Sequence, residues 1–76
     1  MPHIEIQSFF GRTEEQIQQC AEKIADVVAE TLGCKASSVS VAITDVLEEE
    51  WKEKVWDKYI ATEFNNLYKK PGYICE

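Results

Sequence analysis

Pro2 follows the initiating Met1 directly, and this placement opens a chemistry that no internal proline has. Within a chain the proline nitrogen is an amide with neither a proton nor a basic lone pair. With Met1 removed it becomes a terminal secondary amine, able to take and return a proton near neutral pH. A small second residue permits methionine removal, so the mature chain is expected to begin at Pro2. His3, the only histidine, stands beside this candidate base. Adjacent strand residues point to opposite faces, so His3 is expected at the surface or in packing rather than as a second acid–base group. Cys20, Cys34 and Cys75 form an odd set without CxxC spacing, which suits reduced thiols in an intracellular chain. Cys20 also falls on the apolar stripe of a predicted helix and is expected to pack there. The Glu48 to Glu50 run suits a helix start, where carboxylates complement the dipole.

These residues have to be positioned by a small scaffold. A chain of 76 residues allows one domain, spanning residues 1–76, with a core so limited that partner subunits are expected to complete it. Hydrophobic residues make up 45% of the chain and two are tryptophans, a composition that folds rather than one that stays disordered. The net charge of -6 leaves no basic patch for nucleic acid or for an anionic membrane surface. No apolar run approaches the roughly 18 to 20 residues of a membrane span, and charged Glu5 interrupts the N-terminus before a signal-like stretch develops. A cytoplasmic location is expected. No metal or nucleotide motif is present, so no cofactor is expected.

Period-2 alternation from His3 to Ser8, with Ile4 and Ile6 set against His3, Glu5 and Gln7, predicts a strand. After the connection Phe9, Phe10, Gly11 and Arg12, the pair Thr13 and Gln16 has capping-box spacing. The helix that starts there carries Ile17, Cys20, Ala21, Ile24, Val27, Val28 and Leu32 at intervals of three or four, and Gly33 is placed to end it in the left-handed conformation. Lys35 to Ser38 connects to a second strand, in which Val39, Val41 and Ile43 alternate with Ser40, Ala42 and Thr44. A crossover helix of that length makes the two strands parallel. From Glu48 to Lys70, Trp51, Val55, Tyr59, Ile60, Phe64, Leu67 and Tyr68 follow helical spacing, with a break expected near Ala61 or Thr62. Pro71 and Gly72 predict a turn, and Tyr73 to Cys75 could add a short strand paired with a neighbouring subunit.

Three segments, MPHIEIQ at the start, GRTEEQ at the first helix and SSVSVAITDV in the second strand, occur together in one order and spacing. With them the chain resembles the 4-oxalocrotonate tautomerase family. The resemblance covers the whole strand–helix–strand unit. It implies an α/β fold of the α+β kind: a tautomerase-like β-α-β unit with two parallel strands and a C-terminal helical segment, its sheet extended by oligomerisation, with a homodimer the expected assembly.

It also implies cofactor-independent keto–enol tautomerisation, an intramolecular oxidoreductase activity, with Pro2 as the base that moves a proton between the enol oxygen and carbon. Arg12 matches the arginine of the family's GR pair, which binds a substrate carboxylate; its planar fork of donors suits that group. Trp51 matches the aromatic residue that forms an apolar wall near the proline. Phe9 and Phe10 could serve as a similar apolar wall, with core packing the expectation for each. The chain departs from the family where diacid-processing members carry a second-strand arginine and this sequence has Ser40. The loss of one cation favours a monocarboxylic 2-keto acid with an apolar tail, such as the enol of phenylpyruvate. Lys69 or Lys70 could restore the cation if the C-terminus folds over the site. The alternatives are a non-catalytic oligomeric binding or structural module on the same scaffold, and a proline-first dehalogenase.

Overall fold

The alternating residues after Pro2 form strand β1, His3–Phe9. The computed structural model describes residues 1–76, which divide into two compact units, Met1–Asp45 and Val46–Glu76.

In the first unit, Ile4 and Ile6 of β1 are half-buried while His3 and Glu5 are exposed, as the alternation requires. Gly11 then takes φ 116°, with open space where a Cβ would stand. The glycine is therefore needed for its backbone torsion and not for close approach.

Helix α1, Glu14–Leu32, starts on the expected capping box. The Gln16 N–H donates to Thr13 Oγ1 at 3.1 Å, and the Thr13 N–H donates back to Gln16 Oε1 at 2.9 Å. Two N–H groups that the helix ladder cannot satisfy are thus satisfied reciprocally. Glu14 and Glu15 in the first turn complement the positive end of the dipole. The helix ends on Gly33 at φ 73° and ψ 46°, with Gly33 N–H donating to the Ala29 carbonyl at 3.1 Å.

The half-buried face of α1 is Ile17, Ala21, Ile24, Ala25, Val28 and Ala29, a stripe at helical spacing. It is rotated from the expected one. Cys20 is exposed instead of packed, and Val27 and Leu32 are 55% and 68% exposed. The small Ala25 and Ala29 take inner positions, the flank that carries Cys20 and Val27 is left exposed, and Leu32 is exposed as the last residue of the helix.

A 3-10 turn at Ala36–Ser38 occupies the predicted connector. Strand β2, Ser40–Val46, begins one residue later than expected, because the Val39 N–H still donates to the Ala36 carbonyl and closes that turn. Strands β1 and β2 form one two-stranded parallel sheet. Val41 and Ile43 are half-buried while Ser40, Ala42 and Thr44 are exposed, so β2 keeps the predicted faces.

The second unit departs further from expectation. In place of one helix over 48–70 there are three short pieces: a 3-10 turn at Glu48–Glu50, a π-helix at Lys52–Ala61 and a 3-10 turn at Phe64–Asn66. The wider π repeat closes hydrogen bonds five residues apart. Lys52 and Asp57, at that separation, form an ion pair with both carboxylate oxygens 3.2 Å from Nζ. The break falls where predicted: Thr62 turns its hydroxyl back onto the Lys58 carbonyl at 2.9 Å, and Glu63 leaves helical torsions at φ -115° and ψ 18°. No strand forms at Tyr73 to Cys75; Tyr73 turns to Trp51 and Trp56 within the same unit, while Ile74 is 78% exposed.

The buried hydrophobic residues are Val46, Val55 and Trp56, and all belong to the second unit. Met1–Asp45 contains none.

Candidate active site

Pro2 precedes the first residue of β1 and is half-buried, whereas Met1 is fully exposed. The Pro2 carbonyl accepts a hydrogen bond from the Ser40 N–H at 3.2 Å, so the start of β2 holds the residue that bears the candidate base. Ser40 engages the same stretch a second time: its Oγ lies 2.6 Å from His3 Nδ1. His3 Nε2 reaches Glu5 Oε1 at 3.4 Å. His3 is on the exposed side of the sheet, as alternation predicts, and it is bonded there rather than idle.

Arg12 lies beyond the other end of β1. Its Nη1 donates to the Phe9 carbonyl at 2.9 Å, a contact across the bend made by Gly11 that props the guanidinium at the mouth of α1. No carboxylate pairs with it, which leaves the charge of an exposed arginine for a ligand. Phe9, the last residue of β1, and Phe10 just beyond it, both expected in core packing, are 40% and 58% exposed.

Pro2 and Arg12 are not brought together within one chain. The six peptide steps of β1 alone, at about 3.3 Å each, place about 20 Å between its ends, and the two residues lie outside opposite ends. Arginine cannot span that distance.

Trp51 belongs to the second unit, half-buried between the Glu48–Glu50 turn and the π-helix. Its Nε1–H donates to the Tyr73 hydroxyl at 3.2 Å, and the Tyr73 ring lies 5.3 Å from that of Trp56 at 41°. This tilted arrangement falls in the favourable range for aromatic pairs. Tyr73 is the residue that sequence reasoning gave a different task; the one signal for its position was the Pro71–Gly72 pair, where the structure has a bend at Gly72 in place of the predicted turn. Lys70 Nζ lies 5.7 Å from the centre of the Phe64 ring. A shallow groove of about 480 Å³ is lined by Phe64, Pro71, Gly72, Tyr73 and Ile74. The three cysteines are unpaired, and no helix is long and apolar enough to cross a membrane.

A fold of two parallel strands joined by one helix, with a proline immediately before the first strand, agrees with what comparison shows. Residues 2–55 match the family model described as "Tautomerase enzyme", a span that starts at Pro2 and includes Arg12, Ser40 and Trp51. The chain belongs to the tautomerase family. Among its relatives is Tautomerase PptA of Cronobacter sakazakii, 44% identical over 75 residues that cover 96% of this chain and 97% of the relative. Tautomerase PptA of Escherichia coli strain SMS-3-5 is 40% identical over 74 residues, with the same shares covered. In solved structures the fold recurs in TomN, a 4-oxalocrotonate tautomerase homologue in the tomaymycin biosynthetic pathway. That likeness has a TM-score of 0.63 and 26% identity over 66% of this chain and 77% of TomN. YwhB, another homologue of 4-oxalocrotonate tautomerase, gives a TM-score of 0.59 and 30% identity over 62% of this chain and 77% of its own.

Proposed function

We propose that the chain, once freed of Met1, is a cofactor-independent keto–enol tautomerase for monocarboxylic 2-keto acids with an apolar tail, phenylpyruvate enol being the representative substrate. The observation that carries this reading is the family match beginning at Pro2, a residue whose nitrogen becomes a free amine only at a chain start. The fully exposed Met1 is open to removal.

In the proposed reaction the Pro2 amine takes the enol hydroxyl proton. The electron pair of that O–H bond becomes the carbonyl π bond, and the enol π pair takes a proton at the adjacent carbon from the prolyl ammonium. Substrate and product are isomers, and the amine ends as it began. A general base works best when it titrates near the working pH. Both an apolar surround and a nearby guanidinium disfavour the ammonium and draw a terminal amine down from its ordinary range of about 7.7 to 8.0. Arg12 is assigned the substrate carboxylate and Trp51 the apolar wall.

A homodimer is part of the same proposal. A site that uses Pro2 and Arg12 on one small substrate takes them from two chains, because β1 separates them within one. The absence of any buried residue in Met1–Asp45 and the exposed Val27 and Leu32 supply apolar surface for such an assembly. Three free thiols suit a cytoplasmic setting.

Intact mass of the purified chain, paired with loss of phenylpyruvate enol absorbance before and after enzymatic removal of Met1, tests the reading. Activity that appears only with a terminal Pro2 is the expected result. A terminal Pro2 that turns over none of several 2-keto acids would give way to the binding-module alternative, and turnover of a haloacrylate in their place to the dehalogenase.

A further inference from the structure

We propose that Ser40 and His3 form a positioning pair that aims the Pro2 nitrogen; the inference rests on the reading of Pro2 as the base. In a chain that begins at Pro2, the nitrogen is carried by a ring, and the peptide plane linking Pro2 to His3 is rigid. The orientation of that plane in the sheet sets the position of the Pro2 Cα and the axis about which the ring turns, and so where the nitrogen can point. A terminal residue whose peptide plane was free to rock would lose the near-attack geometry on which proton transfer depends.

Both ends of this peptide plane are tied to one residue. On the Pro2 side the carbonyl accepts the Ser40 N–H at 3.2 Å. On the His3 side the imidazole Nδ1 meets Ser40 Oγ at 2.6 Å. The Glu5 carboxylate, 3.4 Å from His3 Nε2, accepts only from a protonated Nε2. In the neutral ring this leaves Nδ1 to accept the Ser40 hydroxyl proton. Both contacts of His3 are on the exposed face of the sheet, so the pair acts on Pro2 through the backbone. His3 and Ser40 are therefore positioning residues, not catalytic ones. The arrangement also accounts for the Ser40 hydroxyl: it is engaged within the chain and does not stand in for a cation that would hold a second substrate carboxylate.

A double-mutant cycle on kcat for phenylpyruvate enol tests the pair, using processed enzyme. His3→Ala and Ser40→Ala should each lower kcat by about two- to tenfold, the range set by the net worth of one hydrogen bond, with KM little changed. The double variant should be no slower than the slower single, because each change removes the same contact. Ser40→Thr, which keeps the hydroxyl, and His3→Asn, which keeps a polar atom near the Nδ1 position, should retain most of the rate. Exchange of the Ser40 amide proton should quicken in both alanine variants. Losses that multiply in the double variant, or wild-type kcat in both singles, would overturn the pair while leaving Pro2 as the base. If chains that retain Met1 turn over the enol as fast as processed ones, the reading of Pro2 fails and the inference goes with it.

Discussion

Pro2 and Arg12 flank opposite ends of β1, one before His3 and the other beyond Phe9. If Pro2 is the base and Arg12 the carboxylate binder, as proposed, the length of that strand requires the site to be assembled from two chains, since residues at its two ends cannot meet on one small substrate within a chain. The exposed apolar side chains of α1 point the same way, because a unit with no buried residue gains stability by covering them.

Mixing two inactive chains checks this relationship. One carries Arg12→Ala, and the other an N-terminal extension that keeps the Pro2 nitrogen in an amide. If each site draws its arginine from the partner, random re-pairing into dimers restores about a quarter of wild-type activity, from the one intact site in each mixed dimer. Turnover of phenylpyruvate enol after co-refolding is the measurement. No recovery would mean that base and arginine come from the same chain.

The two ends of α1 set a second expectation. Thr13→Ala removes the side-chain half of the capping box and should cost about 1 kcal/mol. Gly33→Ala forces a Cβ into the left-handed conformation at φ 73° at a cost of about 1–2 kcal/mol. Thermal unfolding should register each as a drop in Tm of about 4–8 °C per kcal/mol for a domain of this size, and the two should add, since they act at opposite helix ends.

Tyr73→Phe keeps the ring that lies against Trp56 and removes the acceptor for the Trp51 indole N–H. Stability should fall by about 0.5–1.5 kcal/mol, and the Trp51 Nε1 proton should exchange faster by NMR. Tyr73→Ala should cost more, because the ring contact is lost as well. Equal costs for the two changes would mean that the hydrogen bond, not the ring, holds the C-terminal residues.

The Lys54 ammonium has a pKa above its ordinary 10.5, first because Glu50 accepts its hydrogen bond, then through the Glu50 charge; the contact is 2.7 Å. A lysine whose folded pKa is raised contributes stability that is fully present below the unfolded value and is lost as pH rises through the folded one. The contribution of this exposed pair should therefore persist through neutral pH and fade only above about 10.5. Titration of the Lys54 side chain by NMR should show its midpoint returning toward 10.5 in Glu50→Gln. An unchanged midpoint would mean that Glu53, which also raises it, is the controlling charge.

The amino-acid sequence by itself determined the local elements of Met1–Asp45, because each is encoded by contacts between near neighbours: alternation in β1 and β2, the Thr13–Gln16 box, and the left-handed glycine after Leu32. It also marked Pro2 as the proposed base, since a proline nitrogen is basic only at the start of a chain. Only the tertiary structure decided where these residues stand. Helical spacing is shared by α and π repeats when apolar residues are irregularly placed, so the π-helix at Lys52–Ala61 and the use of Tyr73 against Trp51 and Trp56 could not be read from periodicity. The half-burial of Ala25 and Ala29 instead of Cys20 and Val27 depends on which side of α1 is covered. The bond between Ser40 and His3 joins residues 37 positions apart, and such a pairing exists only once β1 and β2 lie side by side.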